Sequence, residues 1–310
     1  MKAAVYKKSR SGKILEIVEL QKPVPKEDEV LIGVRAASVN LLDWRMKSRR
    51  PGVDVAGQVE AIGRNVTLFN PGDAVFGGSR GAFAEYAWAS ESKLVLKPNN
   101  LTFEQAASVP IAGLTALQAL RDKGRIKTGQ RVLINGAGGG VGTFAVQIAK
   151  CFGAHVTGVC SAEKVEWVRS LGADRVIDYT RADFTREDQR YDLLLDTVGN
   201  RRVSECRRVL APRGISVHVG APKEMRAVLA GIPAMLAWMA WSHFSRKKVT
   251  TLLAKIKRDD LTFLCELMEA GRLTPAIGTQ YPLNEAAAAI AHVEAGHARG
   301  KVVITVSRGS

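Results

Sequence analysis

One segment, Arg131–Lys150, constrains the fold of this chain more than any other. It starts with a short apolar run that predicts a buried strand, and it ends in a helical pattern of apolar residues. Between them lies a glycine-rich turn with glycine at 136, 139 and 142. This order predicts a dinucleotide-binding unit, because N–H groups at a helix N-terminus bind pyrophosphate and a Cβ in the turn would hold it away. The expected contacts are Gly138, Gly139, Gly140 and Val141.

Further apolar segments continue the pattern after this unit. They occur at 154–159, 174–179, 191–196 and 214–220. Strands that alternate with helices predict a doubly wound parallel sheet, in which ligands bind beyond the carboxyl ends of the strands. Residues after two of these strands are therefore candidate contacts to a nicotinamide: Thr197, Val198, Gly220 and Ala221.

The end of the second strand of this unit bears on which cofactor binds. An NAD site usually places Asp or Glu there to hold the ribose hydroxyls. This chain has Ser161 and Lys164, with Glu163 between them. A hydroxyl and an ammonium group suit the 2′-phosphate of NADPH better, although Glu163 argues against it. The alternative is that Ser161 caps a helix and Lys164 is a solvated residue of its first turn.

Residues 1–112 predict a different architecture. Their short strands are separated by Gly and Pro turns, a pattern typical of a small barrel-like domain. The last apolar strand, residues 301–306, fits this first domain better than the cofactor domain.

Motifs of one family run nearly from end to end of the chain. They are Ala37–Asn40 with Asp43, Gly52–Gly63, Gly72–Gly77, Gly81–Tyr86, Ala112–Ala116, the glycine turn, Leu171–Asp174 and Gly296–Val303. Together they resemble the medium-chain dehydrogenase/reductase superfamily, in its zinc-free branch of zeta-crystallin-like quinone oxidoreductases. The resemblance implies an α/β protein with a GroES-like β-barrel catalytic domain and a Rossmann doubly wound parallel-sheet cofactor domain. It places the first in residues 1–112, completed by 275–310, and the second in 113–274, with NADPH in the cleft between them.

The resemblance also implies functional residues. Asn40 would orient the nicotinamide and the substrate, and Asp43 is a weaker catalytic candidate that could equally be structural. The implied cofactor-binding residues outside the glycine turn are Asn40, Thr115, Ser161, Lys164, Tyr179, Gly300 and Lys301. Three of them have simpler alternatives: a turn hydrogen bond for Asn40, a half-buried strand position for Tyr179 and a solvated side chain for Lys301. The segment between Asp43 and Gly52 is shorter than is usual in this family.

The distribution of Cys and His argues against a zinc site in the first domain. A zinc site needs three or four ligands, chiefly Cys and His, and neither residue occurs before Cys151. Without a Lewis acid the favoured substrate is an acceptor that is already electrophilic. The sequence thus predicts an NADPH-dependent, zinc-independent oxidoreductase that transfers hydride to a quinone or an α,β-unsaturated carbonyl. The alternatives are an enoyl-thioester reductase on the same scaffold and a non-catalytic NADPH-binding sensor or nucleic-acid-binding protein.

Composition limits the partners. The formal net charge is +15, but the basic residues are scattered, with short clusters such as Arg45–Arg50 and no interleaved aromatic ladder. This favours a solvated surface over an obligate nucleic-acid site. Four cysteines without CxxC spacing indicate reduced thiols in the cytoplasm. The apolar stretch Val228–Phe244 contains Pro233 and is short for a membrane span, so it predicts a buried helix or a homodimer contact rather than a transmembrane segment. Contact with a membrane surface is the lesser alternative.

Overall fold

The computed structural model describes residues 1–9, 12–46, 48–219, 247–296 and 298–307. Its strands are β1 (Lys2–Ser9), β2 (Gly12–Glu19), β3 (Glu29–Val39), β4 (Asp54–Ile62), β5 (Ala74–Gly78), β6 (Tyr86–Ser90), β7 (Leu94–Leu96), β8 (Arg131–Asn135), β9 (His155–Cys160), β10 (Arg175–Asp178), β11 (Tyr191–Asp196), β12 (Leu210–Val219), β13 (Lys248–Leu252), β14 (Ile277–Pro282) and β15 (Lys301–Thr305). Its helices are α1 (Leu41–Met46), α2 (Phe103–Ala107), α3 (Pro110–Gln118), α4 (Gly140–Cys151), α5 (Val165–Ser170), α6 (Val203–Arg208), α7 (Arg258–Glu269) and α8 (Ala286–Glu294).

The chain divides into two compact units. The first comprises Met1–Leu114 and Lys255–Ser310, and the second comprises Thr115–Ala254. The second unit ends at Ala254. The sequence predicted that it would extend to residue 274, but α7 packs with the first unit instead. Asn100 shows this, since its side-chain amide donates to the carbonyl of Met268 at 2.9 Å.

The first unit is built on a β-sheet in the order β14-β15-β3-β4-β5-β7, with β6 also paired to β3. Neighbouring strands are antiparallel except for β14 and β15, which are parallel. The strand β3 is the centre of this sheet and is buried along nearly its whole length. Its side chains pack with Phe83 and Leu94 in one apolar cluster. The closing strand β15 pairs with the carboxyl end of β3, and this brings Lys301 close to Asn40.

The second unit contains a parallel sheet in the order β10-β9-β8-β11-β12-β13. In the order of this unit's own strands it is 3-2-1-4-5-6, the arrangement of dinucleotide-binding folds. The chain reverses its direction of growth between β8 and β11, so the carboxyl ends of these two strands flank the switch point. Continuous apolar runs such as Leu193–Leu195 are fully buried, as strands covered on both faces require.

The strand orders confirm the predicted α/β class, with a separate β domain beside a doubly wound parallel sheet in the chain. The strand β13 was not among the strands predicted from the sequence. Its sequence, KVTTL, is short and only partly buried, which leaves a weak apolar signal.

Candidate functional site

The three spaced glycines of the turn after β8 have three different physical reasons. Gly136 adopts a φ of +87°, and a Cβ there would overlap the side chain of Thr197. A Cβ on Gly142 would overlap the carbonyl oxygen of Gly136, so the third glycine lets α4 pack closely on the turn. Gly139 differs from both, because a Cβ there would meet only the carbonyl oxygen of Gly136, at 3.4 Å. The turn is therefore tight at its ends and open at its middle.

The open middle of the turn lies at the start of α4. Gly139 is the N-cap residue of this helix, and no side chain caps it. The first N–H groups of a helix carry a partial positive charge and need acceptors. The predicted contacts Gly138, Gly139, Gly140 and Val141 thus form a backbone cradle that suits a pyrophosphate and that a side chain would fill.

Lys164 lies against this cradle. A Cβ on Gly138 would come within 2.8 Å of Lys164 Cδ, so the stem of the lysine crosses the glycine turn. Ser161 follows the carboxyl end of β9, and its hydroxyl donates to Glu163 Oε1 at 3.2 Å. Tyr179 follows β10, is 47% exposed, and its backbone N–H donates to the carbonyl of Cys160. The structure therefore brings Ser161, Lys164 and Tyr179 to the carboxyl ends of two adjacent strands.

The switch point of the parallel sheet is held by polar side chains that the sequence reasoning missed. The side-chain amide of Asn135, at the end of β8, donates to Asp196 Oδ1, at the end of β11, over 2.9 Å. The same oxygen accepts the N–H groups of Val198 and Gly199 at 3.0 and 2.9 Å. This carboxylate shapes the turn that contains the predicted contacts Thr197 and Val198. A polar residue ending an apolar strand is the signal that could have found it.

Other predicted cofactor residues are placed as follows. Thr115 is buried in α3, with 5% of its surface exposed. Gly300 has a φ of +64° and precedes β15 directly. Gly220 and Ala221 lie outside the described residues, as does the stretch Val228–Phe244.

A buried polar cluster in the first unit surrounds Asp54, a residue that the sequence reasoning did not single out. Ser38 Oγ and Asn40 Nδ2 donate to Asp54 Oδ2 at 2.7 and 2.8 Å, and the N–H of Ile111 donates to Oδ1 at 3.0 Å. Lys301 Nζ lies 3.5 Å from the same carboxylate and donates to Asn40 Oδ1 at 2.7 Å. The available signal was a charged residue at the start of β4, directly before the apolar residues Val55 and Ala56.

Lys301 is a buried ion-pair partner in this cluster. Only 3% of its surface is exposed, and its ammonium also contacts the carbonyl of Val39 at 3.4 Å. Burial lowers the pKa of Lys301, while Asp54 and Asp43 raise it again. Asn40 is held by this ammonium and by Asp54, so its amide has one fixed orientation.

Asp43 connects the two ends of the short segment after β3 by hydrogen bonds. Its carboxylate accepts the N–H of Asn40 at 2.8 Å and the N–H of Gly52 at 2.9 Å. Burial raises the pKa of Asp43 to about 7; the N–H groups of Asn40 and Gly52 oppose this shift, and the neighbouring Asp54 carboxylate adds to it. Both oxygens are therefore engaged by the backbone, on either side of the segment between Asn40 and Gly52.

The four thiols are unpaired with one another, and three are chemically inert. Burial raises the pKa of Cys160 to about 11 and the pKa of Cys206 and Cys265 to about 12, so thiolates do not form near neutral pH.

Among the described residues, no three His, Cys, Asp or Glu side chains gather as metal ligands. In that same part of the chain no helix is long and apolar enough to span a bilayer.

Comparisons with known proteins agree with this architecture. Residues 26–99 match the family model of the alcohol dehydrogenase GroES-like domain, and residues 171–304 match that of the zinc-binding dehydrogenases. A chloroplastic quinone oxidoreductase of Triphysaria versicolor is 35% identical over 94% of this chain and 93% of its own. The structure of a quinone oxidoreductase from Coxiella burnetii matches with a TM-score of 0.85 at 30% identity, covering 99% of both chains. The CurK enoyl reductase matches with a TM-score of 0.81 at 25% identity, covering 98% of this chain and 99% of its own.

Proposed function

Because the chain belongs to the medium-chain dehydrogenase/reductase superfamily, and within it to the quinone oxidoreductase family, we propose that it is a zinc-independent enzyme that uses NADPH to reduce a quinone or an α,β-unsaturated carbonyl. The observation that carries this proposal is the uncapped glycine turn at α4 with the Lys164 stem lying across it. Relatives named as NAD(P)H oxidoreductases support a nicotinamide cofactor.

The cofactor would be held along the carboxyl edge of the parallel sheet. The backbone of Gly138–Val141 would bind the pyrophosphate, and the turn at Thr197 and Val198 would border the nicotinamide. Lys164 and Ser161 would hold the 2′-phosphate, with Tyr179 beside the adenosine. The ammonium of Lys164 is the group that favours NADPH over NADH, because a point positive charge attracts the extra phosphate.

The first unit would orient the acceptor. The amide of Asn40 is held in one orientation by Lys301 and Asp54, so the second acceptor position of its oxygen is pre-organised to bind a polar group without a loss of rotamer freedom. When bound, the dihydronicotinamide supplies a hydride, and a proton from water completes the two-electron reduction of the acceptor. Quinones, enones and enals accept a hydride without a Lewis acid. That suits a sequence with no Cys or His before Cys151.

The test is acceptor-dependent oxidation of NADPH by the purified protein, measured as loss of the absorbance of the reduced nicotinamide. Parallel reactions contain a quinone, an enone, an enoyl thioester or no acceptor, and each is repeated with NADH. The proposal expects oxidation with the quinone or the enone and a preference for NADPH. Turnover of the thioester alone would favour the enoyl-thioester reductase. The similarity to the CurK enoyl reductase supports this alternative. Stable NADPH binding without turnover of any acceptor would favour a sensor.

Lys164→Ala is expected to raise the Kd for NADPH about tenfold and to leave the Kd for NADH unchanged, because one charged contact to the 2′-phosphate is lost. Titration of both cofactors by calorimetry measures this. Glu163→Gln is the matched control, since it removes a negative charge from the same turn and should tighten NADPH instead. Equal weakening of NADPH and NADH by the alanine variant would contradict the assignment.

Gly139→Ala is expected to raise the Kd for either cofactor at least tenfold while the protein stays folded. The new methyl group meets no protein atom closer than 3.4 Å, so it occupies the space assigned to the phosphates. Cofactor titration gives the Kd, and a thermal melt checks the fold. Gln147→Ala, about two turns further along α4, should leave both cofactor affinities unchanged. Unaltered affinity in the Gly139 variant would rule out this cradle as the cofactor site.

A homodimer and a cytoplasmic location, both inferred from the sequence, complete the proposal. The size of the protein in solution, measured by light scattering with and without NADPH, tests the first of these.

A further inference from the structure

A cavity of about 610 Å³ opens in the first unit next to Asp43. Its lining combines two kinds of surface. Val5, Leu20 and Trp88 are apolar lining residues, and three arginines also line the cavity: Arg49, Arg50 and Arg80. The volume lies within the range of small-molecule sites, which is roughly 300–1,000 Å³.

Arg50 is the most constrained of the three arginines. Its guanidinium lies over the ring of Trp88, 4.5 Å from the centroid, and Nη2 donates to the carbonyl of Tyr86 at 3.4 Å. Its Nε is buried and has no hydrogen-bond partner among the described residues. Burial lowers the pKa of Arg50, and the positive charge of Arg49 lowers it further. Trp88 and the Tyr86 carbonyl therefore hold the Arg50 guanidinium in place beside a second positive charge.

Two basic residues elsewhere in the unit have counter-ions of a kind that the structure does not show for these arginines. Arg64 pairs with Glu27 at 2.6 Å, and Lys22 pairs with Glu60 at the same distance. Among the described residues, no carboxylate forms an ion pair with the guanidinium groups of the cavity. The carboxyl group in its wall, Asp43, accepts from two backbone N–H groups instead. A concave apolar surface with three uncompensated positive charges is complementary to an amphiphilic anion.

We infer that this cavity binds an oxyanion carried on an apolar body, and that the acceptor of the proposed reaction is a conjugated carbonyl compound bearing such a group. This second part rests on the proposed function. A guanidinium fork matches the two oxygens of a carboxylate or of a phosphate, and the apolar lining fits the rest of the molecule. Asp43 joins the cavity to Asn40, because it lines the cavity and accepts the Asn40 N–H.

The first test compares a matched pair of quinones, 1,2-naphthoquinone and 1,2-naphthoquinone-4-sulfonate. In Arg50→Gln and in Arg80→Gln, the ratio of kcat/KM for the sulfonate to kcat/KM for the neutral quinone should fall at least fivefold. Arg64→Gln removes the same charge from a residue already paired with Glu27, and it should leave the ratio at the wild-type value. The intrinsic reactivities of the two quinones are the same for every protein, so they cancel when the ratio of a variant is compared with the wild-type ratio. An unchanged ratio in both cavity variants would overturn the inference while the proposed function stands.

The second test does not depend on turnover. Binding of the sulfonate without cofactor is followed by quenching of tryptophan fluorescence, with Trp88→Phe to assign the signal to the cavity. Saturable quenching in the wild-type protein would support the site if Arg50→Gln and Arg80→Gln both weaken it and leave the thermal melts unchanged. Arg80 is exposed, so its replacement should not disturb the fold. This support would hold even if no acceptor were reduced. Absence of saturable binding to the wild-type protein would overturn it. Competition by benzoate but not by inorganic phosphate would assign the site to carboxylates, and the reverse would assign it to phosphates.

Discussion

Replacing Asp54 by asparagine is expected to lower the free energy of unfolding by about 3–5 kcal/mol. The carboxylate is fully buried, and it accepts hydrogen bonds from Ser38, Asn40 and the backbone N–H of Ile111. It also faces the ammonium of Lys301 at 3.5 Å. Asparagine carries no charge and has only one acceptor oxygen. The variant therefore leaves a buried ammonium without its counter-ion and a buried N–H without its partner.

Equilibrium unfolding in denaturant, followed by circular dichroism, measures this loss. Asp28→Asn is the control, because Asp28 is exposed and accepts a surface hydrogen bond from Asn65, so its effect should stay within about 0.5 kcal/mol. Adding Lys301→Met to the Asp54 variant removes the unpaired charge and should restore part of the lost stability. Equal stability of the Asp54 and Asp28 variants would contradict the assignment of a buried ion pair.

The free energy of unfolding is expected to fall as the pH rises from about 4 to about 7, with Asp43 contributing up to about 4 kcal/mol. Burial raises the pKa of Asp43 from 3.8 to about 7 in the folded protein. Within this interval the folded state therefore keeps a proton that the unfolded state has released. The contribution is fully present below the unfolded pKa and is lost as the pH passes through the folded pKa. The charged and titratable groups that act on Asp43 or on its neighbour Tyr6 include Asp54 and Lys301, and three arginines line the same cavity as Asp43: Arg49, Arg50 and Arg80.

Unfolding free energies of the wild type and of Asp43→Asn, measured across this pH interval, isolate the contribution of this carboxyl group. Asparagine keeps the size of the side chain and one of the two backbone hydrogen bonds, but it does not titrate. The difference between the two proteins should therefore change with pH, whereas Asp28→Asn should follow the wild-type curve. A constant difference between wild type and Asp43→Asn would show that Asp43 is ionised throughout.

The cofactor unit is the part that the sequence predicted best. Its signals are local: an apolar strand, a glycine turn and a helix follow one another between Arg131 and Lys150. The structure adds the separate reason for each of the three glycines, which depends on atoms outside the turn. Gly136, for example, is constrained by Thr197, a residue from a strand end far along the chain.

The polar cluster of the first unit shows why other features escaped prediction. Lys301 Nζ and Asn40 Oδ1 meet across 261 residues of sequence, and only the pairing of β15 with β3 brings them together. A lysine near the chain terminus is usually solvated, so no local pattern indicates that this one is buried. Asp54 likewise stands in a motif that also contains Gln58 and Glu60, so its charge alone does not mark it out, and only its four partners show its role.

The central claim, direct transfer of hydride from NADPH to a conjugated acceptor, is tested by isotope labelling. NADPH carrying deuterium at C4 is prepared in both stereochemical forms, and each form is incubated with the protein and an enone. Mass spectrometry of the saturated product then locates the label. The account predicts one deuterium at the β-carbon from one of the two forms and none from the other. A saturated product that carries no deuterium from either form would contradict direct hydride transfer.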